Sequence, residues 1–499
     1  MDSRRIIELI VFIIYLVFML SIGVWFFIKG KNSKDSGEKS YFLGGRKMGA
    51  WVTALSAGSS DMSGWVLMGL PASIYAAGIG KIWIAVGLAI GYTLSWIFEA
   101  SRLRKFSIVA NDSITVPQYL TNRFKSSSKS LQLICAIVFL VAYTVYAASS
   151  VKACGTLFES VLGIDSKIAM CVAALIIVGY TFLGGYSAVC WTDFFQGLLI
   201  LGSMLLAPIF ALIAINSGSS TINAIAGSGA EGYWSAFGDP KTIISGLGWG
   251  IGYFGMPHII IRFMSLRSDR ELKKSAKIGI SWTVIILVLA AFIGIISRLF
   301  LGYDEAIANS GRPFIEMVTK LFPAVISGVL LSAILAASMS TADSQLLAAS
   351  SAFASDVYKP AIKKGKVSDR KMVMVGRIVV LAIAAVALVI ALVPGSGTIM
   401  SLVENAWGVF GAAFGPAIML SLYWKRFNYK GAVAGIVAGA VSDIGILVLS
   451  MTGVYNSGIY EIIPGAVIGL IAAVIVTLCT EKPSKEIEEL YDKALNYQD

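Results

Sequence analysis

Charge is what this sequence has least of. Only 14% of its 499 residues are Asp, Glu, Lys or Arg, whereas a soluble domain carries about one quarter. With 57% hydrophobic residues and a mean hydropathy of +0.79, this deficit excludes an ordinary soluble fold and places the chain in a lipid bilayer. Histidine is almost missing too. The single His258 leaves next to no room for a histidine-built metal centre. Cys135, Cys154, Cys171, Cys190 and Cys479 fall in or beside apolar segments without pairing or metal-ligand spacing, so they are expected to pack rather than react. There is no GxxxxGK[ST] phosphate loop and no sizeable soluble domain, which removes the machinery of a nucleotide-driven pump or a membrane enzyme. Nothing resembles a repeated selectivity filter, which argues against a channel. The net charge of +11 sits in short loops between apolar runs. Membrane topology explains it there, without nucleic acid as a partner.

What is present in abundance is apolar runs of about 20 residues, the length that crosses a bilayer. About thirteen are predicted, near 6–28, 47–75, 79–100, 131–161, 167–184, 191–215, 242–265, 277–300, 324–355, 373–393, 400–423, 431–451 and 461–480. The first is longer than a signal-peptide core and runs into Lys29, Lys31 and Lys34 without a small-residue cleavage pattern, so it is expected to be retained. Alternate loops are basic, carrying Arg46 and Lys47, then Arg102 to Lys125, Arg267 to Lys277, Lys359 to Lys371 with Lys363, Lys364 and Lys366 between, and Lys425 to Lys430. Basic loops face the cytoplasm. An odd number of spans in the cell membrane then puts the N-terminus outside, despite Arg4 and Arg5, and the tail 481–499 inside. That tail reads as a short solvated amphipathic helix. The bilayer is the one partner the sequence calls for, and no obligatory protein partner is expected.

Two runs are badly written for lipid. The second contains SAGSSDMSGWVLMGLPASIY (56–75), with three glycines, Pro71 and the acid Asp61; the seventh contains SGLGWGIGYFGMP (245–257). A carboxylate at mid-membrane depth costs at least about 2.5 kcal/mol, and freed backbone groups find no water in hydrocarbon. Paired interrupted helices five spans apart point to an inverted-repeat transporter with its site at the midplane. The expected organisation is therefore an all-α integral membrane protein. Residues 1–46 supply an extra helix and loop, 47–423 the transport core, 424–480 two extra helices and 481–499 the tail. Within the core, 47–215 forms the first repeat and 242–423 the second.

The polar residues inside the spans allow more than one reading. Ser340 and Thr341 in the ninth run could share a cation with carbonyls freed by a nearby break. From the residues alone the favoured reading is that Ala336, Ser340 and Ser344 form a small-residue packing stripe whose hydroxyls bond their own helix. Asp61 could pair with a basic side chain or offset the charge of an entering cation. With Lys152 taken as the one basic residue inside the flanking spans, the second reading is favoured. Asp193 could line an inner exit path or cap the start of the sixth helix. Trp65, Tyr146, Trp249, Tyr253 and Pro257 fall on or opposite the broken helices and are expected near the midplane, although Trp and Tyr usually mark membrane interfaces. Trp249 and Tyr253, four residues apart, are expected to share one helix face.

Five stretches, SSDMSGWVLMGLP (59–71), ITVPQYLTNRF (114–124), GGYSAVCWTDFFQG (184–197), GWGIGYFGMPHIIIRFM (248–264) and AILAASMSTADSQLL (333–347), resemble the sodium/solute symporter family, most closely its proline-transporting members. The resemblance implies a LeuT-like fold of two inverted five-helix repeats and a non-enzymatic, sodium-driven import of L-proline by alternating access. Another small organic solute is the alternative. It implies sodium ligands at Ser340 and Thr341 through side chains and at Ala337, Ser59 and Met62 through backbone oxygens, with Asp61 and Asp193 in support. Ser59 stands where the proline carriers have alanine, a change of little weight for a carbonyl ligand. The substrate pocket is implied at Tyr146, Trp249, Tyr253 and Pro257, with Asp61, Ser63 and Gly64 close by and Trp65 turned towards it.

Overall fold

A computed structural model describes residues 2–31, 38–217, 232–362 and 367–499. The expected loop lysines Lys34, Lys363, Lys364 and Lys366 lie outside the described residues, as does most of the loop after the sixth span. Among the described residues the chain is helical, and one isolated bridge, Met48 to Leu266, is the sole β-type pairing. The helices used below are α1 (Ser3–Lys31), α2 (Ala50–Ser59), α3 (Leu70–Ala77), α4 (Ile82–Leu94), α5 (Ala100–Val109), α6 (Val116–Arg123), α7 (Ser130–Leu162), α8 (Ser166–Gly184) and α9 (Tyr186–Asn216). They continue with α10 (Pro240–Gly248), α11 (Pro257–Ser265), α12 (Asp269–Leu301), α13 (Ala324–Ser351), α14 (Asp369–Leu392), α15 (Ile399–Tyr423), α16 (Tyr429–Met451), α17 (Ile462–Cys479) and α18 (Lys485–Leu495).

Among the described residues, ten helices are long and apolar enough to cross a membrane. The other three expected crossings are the shorter α8 and the two interrupted runs. Peripheral helices show a lipid-facing side: Ile10, Ile13, Ile14 and Val17 of α1 are exposed. The opposite side of α1 packs on α13, where buried Glu8 accepts from Arg4 Nε at 3.1 Å and from Ser327 Oγ at 2.9 Å. A carboxylate inside the bundle is tolerated because its lone pairs are met.

The second run breaks where its sequence says it should. α2 ends at Ser59, a tight turn follows in which Ser63 N–H reaches Asp61 O at 2.8 Å, and the chain resumes as a wide π turn over Trp65–Gly69 before α3. Pro71 sits in the first turn of α3, where a missing N–H costs nothing. Gly64 is required by proximity: a Cβ there would lie 2.4 Å from Ala153 Cβ on α7. The seventh run breaks likewise. α10 passes into a 3₁₀ segment, Trp249–Phe254, extended Met256 interrupts it, and Pro257 opens α11. The two broken helices are held by backbone-to-backbone packing on their neighbours. A Cβ on Gly87 or Gly91 of α4 would meet the carbonyls of Gly246 or Gly250 at 2.1 and 2.2 Å, the close approach that small residues allow between membrane helices.

Two expectations are corrected. The sixth helix starts at Tyr186, not 191, so Asp193 lies two turns inside α9, fully buried, and is no helix cap. The tail is not freely solvated either. α18 docks on the loop side of α5 and α6, with Tyr491 buried, its ring 5.2 Å from that of Phe106 and 4.9 Å from the Arg123 guanidinium. Of the cysteines, Cys135, Cys154 and Cys190 are buried as expected, Cys171 is half-buried and Cys479 is exposed.

Candidate functional site

The break after Ser59 lies against the middle of α13, and three of the oxygens expected to hold sodium, those of Ser59, Ala337 and Ser340, meet there. Ser340 Oγ donates to Ser59 O at 2.8 Å and to Ala337 O at 3.1 Å. Thr341 Oγ1 is buried without a hydrogen-bond partner among the described residues. Ser59 O is available because α2 stops there, whereas Ala337 O, inside α13, already accepts from the Ser340 hydroxyl that bends back onto its own helix. Hard cations of this size sit about 2.3–2.6 Å from oxygen ligands. The Ser340 hydroxyl and the two carbonyls it reaches, at 2.8 and 3.1 Å, suit such an ion once the Ser340 proton turns away. Met62 lies in the same turn, its N–H bonded to Gly58 O at 3.1 Å.

Asp61 occupies the other side of the break. It is fully buried; Oδ2 accepts from Tyr253 OH at 2.5 Å, and Oδ1 has no partner among the described residues. Its carbonyl accepts from Trp65 Nε1 at 3.0 Å and from Tyr146 OH at 3.4 Å. Trp65 therefore braces the break with its indole N–H. Tyr253 and Trp249 enclose Trp407 of α15, with ring centroids 5.0 and 6.3 Å away, and Trp407 Nε1 donates to Trp249 O at 2.8 Å. The expectation that Trp249 and Tyr253 share a helix face needs correcting. At three residues per turn, positions four apart are rotated by about 120°, so the two rings straddle Trp407 instead. Tyr92 packs edge-on to Tyr253 at 5.0 Å, and Tyr460 lies 5.1 Å from Trp249. Pro257 is buried at the start of α11, and Ser63 and Gly64 are buried in the turn.

Sequence comparison extends this geometry across the chain. The sequence model of the Sodium:solute symporter family matches residues 41–439. This chain belongs to that family. It is 40% identical over 482 residues to the osmoregulated proline transporter OpuE of Bacillus subtilis, covering 96% of each chain. It is 39% identical over 492 residues to the sodium/proline symporter of Escherichia coli, covering 97% of this chain and 96% of that one. Among solved structures, a Na+-coupled sialic acid symporter superposes with a TM-score of 0.77 at 22% identity, covering 96% of this chain and 99% of that one. The symporter is thus a multi-pass membrane transporter with the expected LeuT-like fold.

One functional group of the symporter escaped the sequence reading. Lys152 is not the one basic residue inside the flanking spans, because Arg262 of α11 is almost completely buried. It pairs with Asp193 rather than Asp61: Arg262 Nη2 lies 3.3 Å from Asp193 Oδ2. Asp193 also accepts from Ser56 Oγ at 2.6 Å, and its backbone carbonyl accepts from Ser59 Oγ at 3.0 Å. Of these two buried acids, Asp61 therefore faces a phenol and Asp193 a guanidinium. Lys152 instead bonds Ser396 Oγ at 3.0 Å and Gly397 O, in the loop between α14 and α15. Trp407, Tyr92 and Tyr460 were missed as well. The available signal was that all are aromatic residues within or beside apolar runs, the pattern shared by every interfacial Trp and Tyr.

Proposed function

We propose that this symporter imports L-proline together with sodium. Sodium binds Ser340 and Thr341 through their hydroxyls and Ser59, Met62 and Ala337 through their carbonyls, with Asp61 and Asp193 as supporting charges. Proline lies among Tyr146, Trp249, Tyr253, Pro257 and Trp65, its ring against the aromatic faces and its carboxylate on the exposed amides of a half-helix, with Asp61, Ser63 and Gly64 close by. The observation that carries this reading is that one broken segment, Ser59 to Gly64, touches both sets. Ser59 O meets Ser340, while Asp61 meets Tyr253. Sodium binding therefore fixes the segment that completes the substrate pocket. The names of the relatives of similar length, a proline transporter and a sodium/proline symporter, support the choice of ligands.

In this reading residues 47–215 and 242–423 are the inverted repeats that rock against one another. The basic loops and the tail face the cytoplasm, and the N-terminus lies outside the cell membrane. One sodium ion entering down about 100 mV supplies about 2.3 kcal/mol, and each tenfold sodium gradient adds about 1.4 kcal/mol. Together they can concentrate a zwitterion a few hundredfold without any covalent chemistry. The test is radiolabelled proline uptake into proteoliposomes with and without an inward sodium gradient, with other amino acids and sugars as competitors. Uptake should require the gradient and be competed by proline alone. A different competing solute with the same sodium dependence would replace the substrate and leave the coupling intact.

A further inference from the structure

One helical turn beyond the oxygens around Ser340, on the side of the basic loops, a guanidinium crosses the core. Arg262 donates to Ser344 Oγ at 2.6 Å, Ser56 Oγ at 3.2 Å, Asp193 Oδ2 at 3.3 Å and His258 O. Ser344 follows Ser340 by four residues and Ser56 precedes Ser59 by three, so both partners lie roughly 5 Å along their helices from the proposed sodium ligands. On its far side Arg262 borders a narrow cavity with Phe42, Tyr186, Ser344, Leu347 and Ser351 on its walls. The Tyr186 ring faces the guanidinium at 5.4 Å. Arg262 therefore separates the sodium ligands from the space that leads towards the loops.

We propose that Arg262 is the inner gate of the sodium path, a positioning residue that keeps the exit shut while its guanidinium ties α2, α9, α11 and α13 together. The proposal rests on the sodium reading above. Three observations combine in it. The planar guanidinium offers five donors in a fixed fork and reaches three other helices at once, which a compact ammonium does not match. A fixed positive charge in a low-dielectric core repels a cation approaching from the sodium site. Asp193 faces both stations, with its carbonyl on Ser59 and its carboxylate on Arg262, so a departing sodium ion and the guanidinium compete for one carboxylate. Release then consists of Arg262 leaving Ser56 and Ser344, Asp193 meeting the ion in its place, and the four helices parting at their basic-loop ends.

The test needs no substrate. Ser338, on the opposite side of Arg262 from the cavity, is replaced by cysteine after the five native cysteines are removed. Its reaction with a small membrane-impermeant methanethiosulfonate is followed in inside-out vesicles, with and without sodium. With Arg262 present, labelling should be slow. Arg262→Gln should accelerate it about tenfold or more, the factor expected when a charge-assisted hydrogen bond is lost from one of two exchanging states. Arg262→Lys, which keeps the charge, should accelerate it less, and it decides the matter if the glutamine variant fails to insert. Asp193→Asn should also accelerate labelling, with no further gain when combined with Arg262→Gln, because both remove the same bond. Inserted Arg262 variants that label at the parental rate would overturn the gate. Slow parental labelling indifferent to sodium would instead strike at the sodium reading, while the variant rates would still decide the gate.

Discussion

Asp61 is held by a single phenol: Tyr253 OH meets Oδ2 while Oδ1 has no partner among the described residues. Hydrogen bonds to charged groups contribute about 1.5–3 kcal/mol. Tyr253→Phe should therefore impair uptake more at low sodium than at high sodium, since an entering cation becomes the carboxylate's remaining counter-charge. Uptake measured across a sodium series at fixed proline checks this, and an equal loss at every sodium concentration would oppose it. Thr341→Ala removes a buried hydroxyl with no other partner among the described residues, so packing alone predicts almost no effect. As a sodium ligand its loss should raise the sodium concentration for half-maximal uptake about tenfold, with the proline requirement at saturating sodium changed much less. Trp249→Ala should do the reverse, raising the proline requirement while sparing sodium dependence.

The two broken helices depend on what passes beside them as much as on their own breakers. Gly64 lies so close to α7 that a Cβ would overlap Ala153 Cβ at 2.4 Å. Gly64→Ala should abolish uptake by forcing the turn away from α7, and Ala153→Gly in the same chain should restore much of it. Initial uptake rates normalised to inserted protein measure both. Failure of the second change to rescue would point to Ser338, whose Oγ lies 3.1 Å from the same Cβ, as the obstruction instead. The break itself is legible in residues 56–75, because Gly, Pro and an acid disturb a helix wherever it lies. The π turn over Trp65–Gly69 and the 3₁₀ turns over Trp249–Phe254 are not. They arise where the helix must change pitch to fit its neighbours.

At the scale of the whole molecule, the tail acts as a strap across the loop side. Lys425 pairs with Asp492 at 2.7 Å, Tyr491 OH donates to Leu422 O at 3.2 Å, and Arg104 meets the Asp499 side chain at 2.9 Å. These contacts join α5, α6 and the end of α15 through a segment outside the proposed repeats. Tyr491→Ala opens a buried aromatic site, a change that costs about 3–5 kcal/mol in a well-packed core and less at an edge. It should lower the melting temperature in detergent, whereas Lys125→Ala, which removes an exposed pair with Glu486, should leave it nearly unchanged. Equal melting of the two variants would mean that the tail is not part of the cooperative fold.

By itself the sequence determined the class of molecule, the approximate course of the spans and the positions of both breaks. Hydropathy and helix breaking are local properties, readable within about 20 residues. Family resemblance added residue roles where motifs matched, and of those residues Ser340 meets Ser59 and Tyr253 meets Asp61 at the first break. Only the tertiary structure decided which acid has a basic partner, which aromatics surround Tyr253 and that the tail is docked. Arg262 meets Asp193 across 69 residues, Trp407 meets Trp249 across 158 and Tyr253 meets Asp61 across 192. Such pairings are set by which helices become neighbours in the bundle. Where lipid is as apolar as the helix surfaces, that choice comes from close packing and polar contacts between helices rather than from hydrophobicity along the chain.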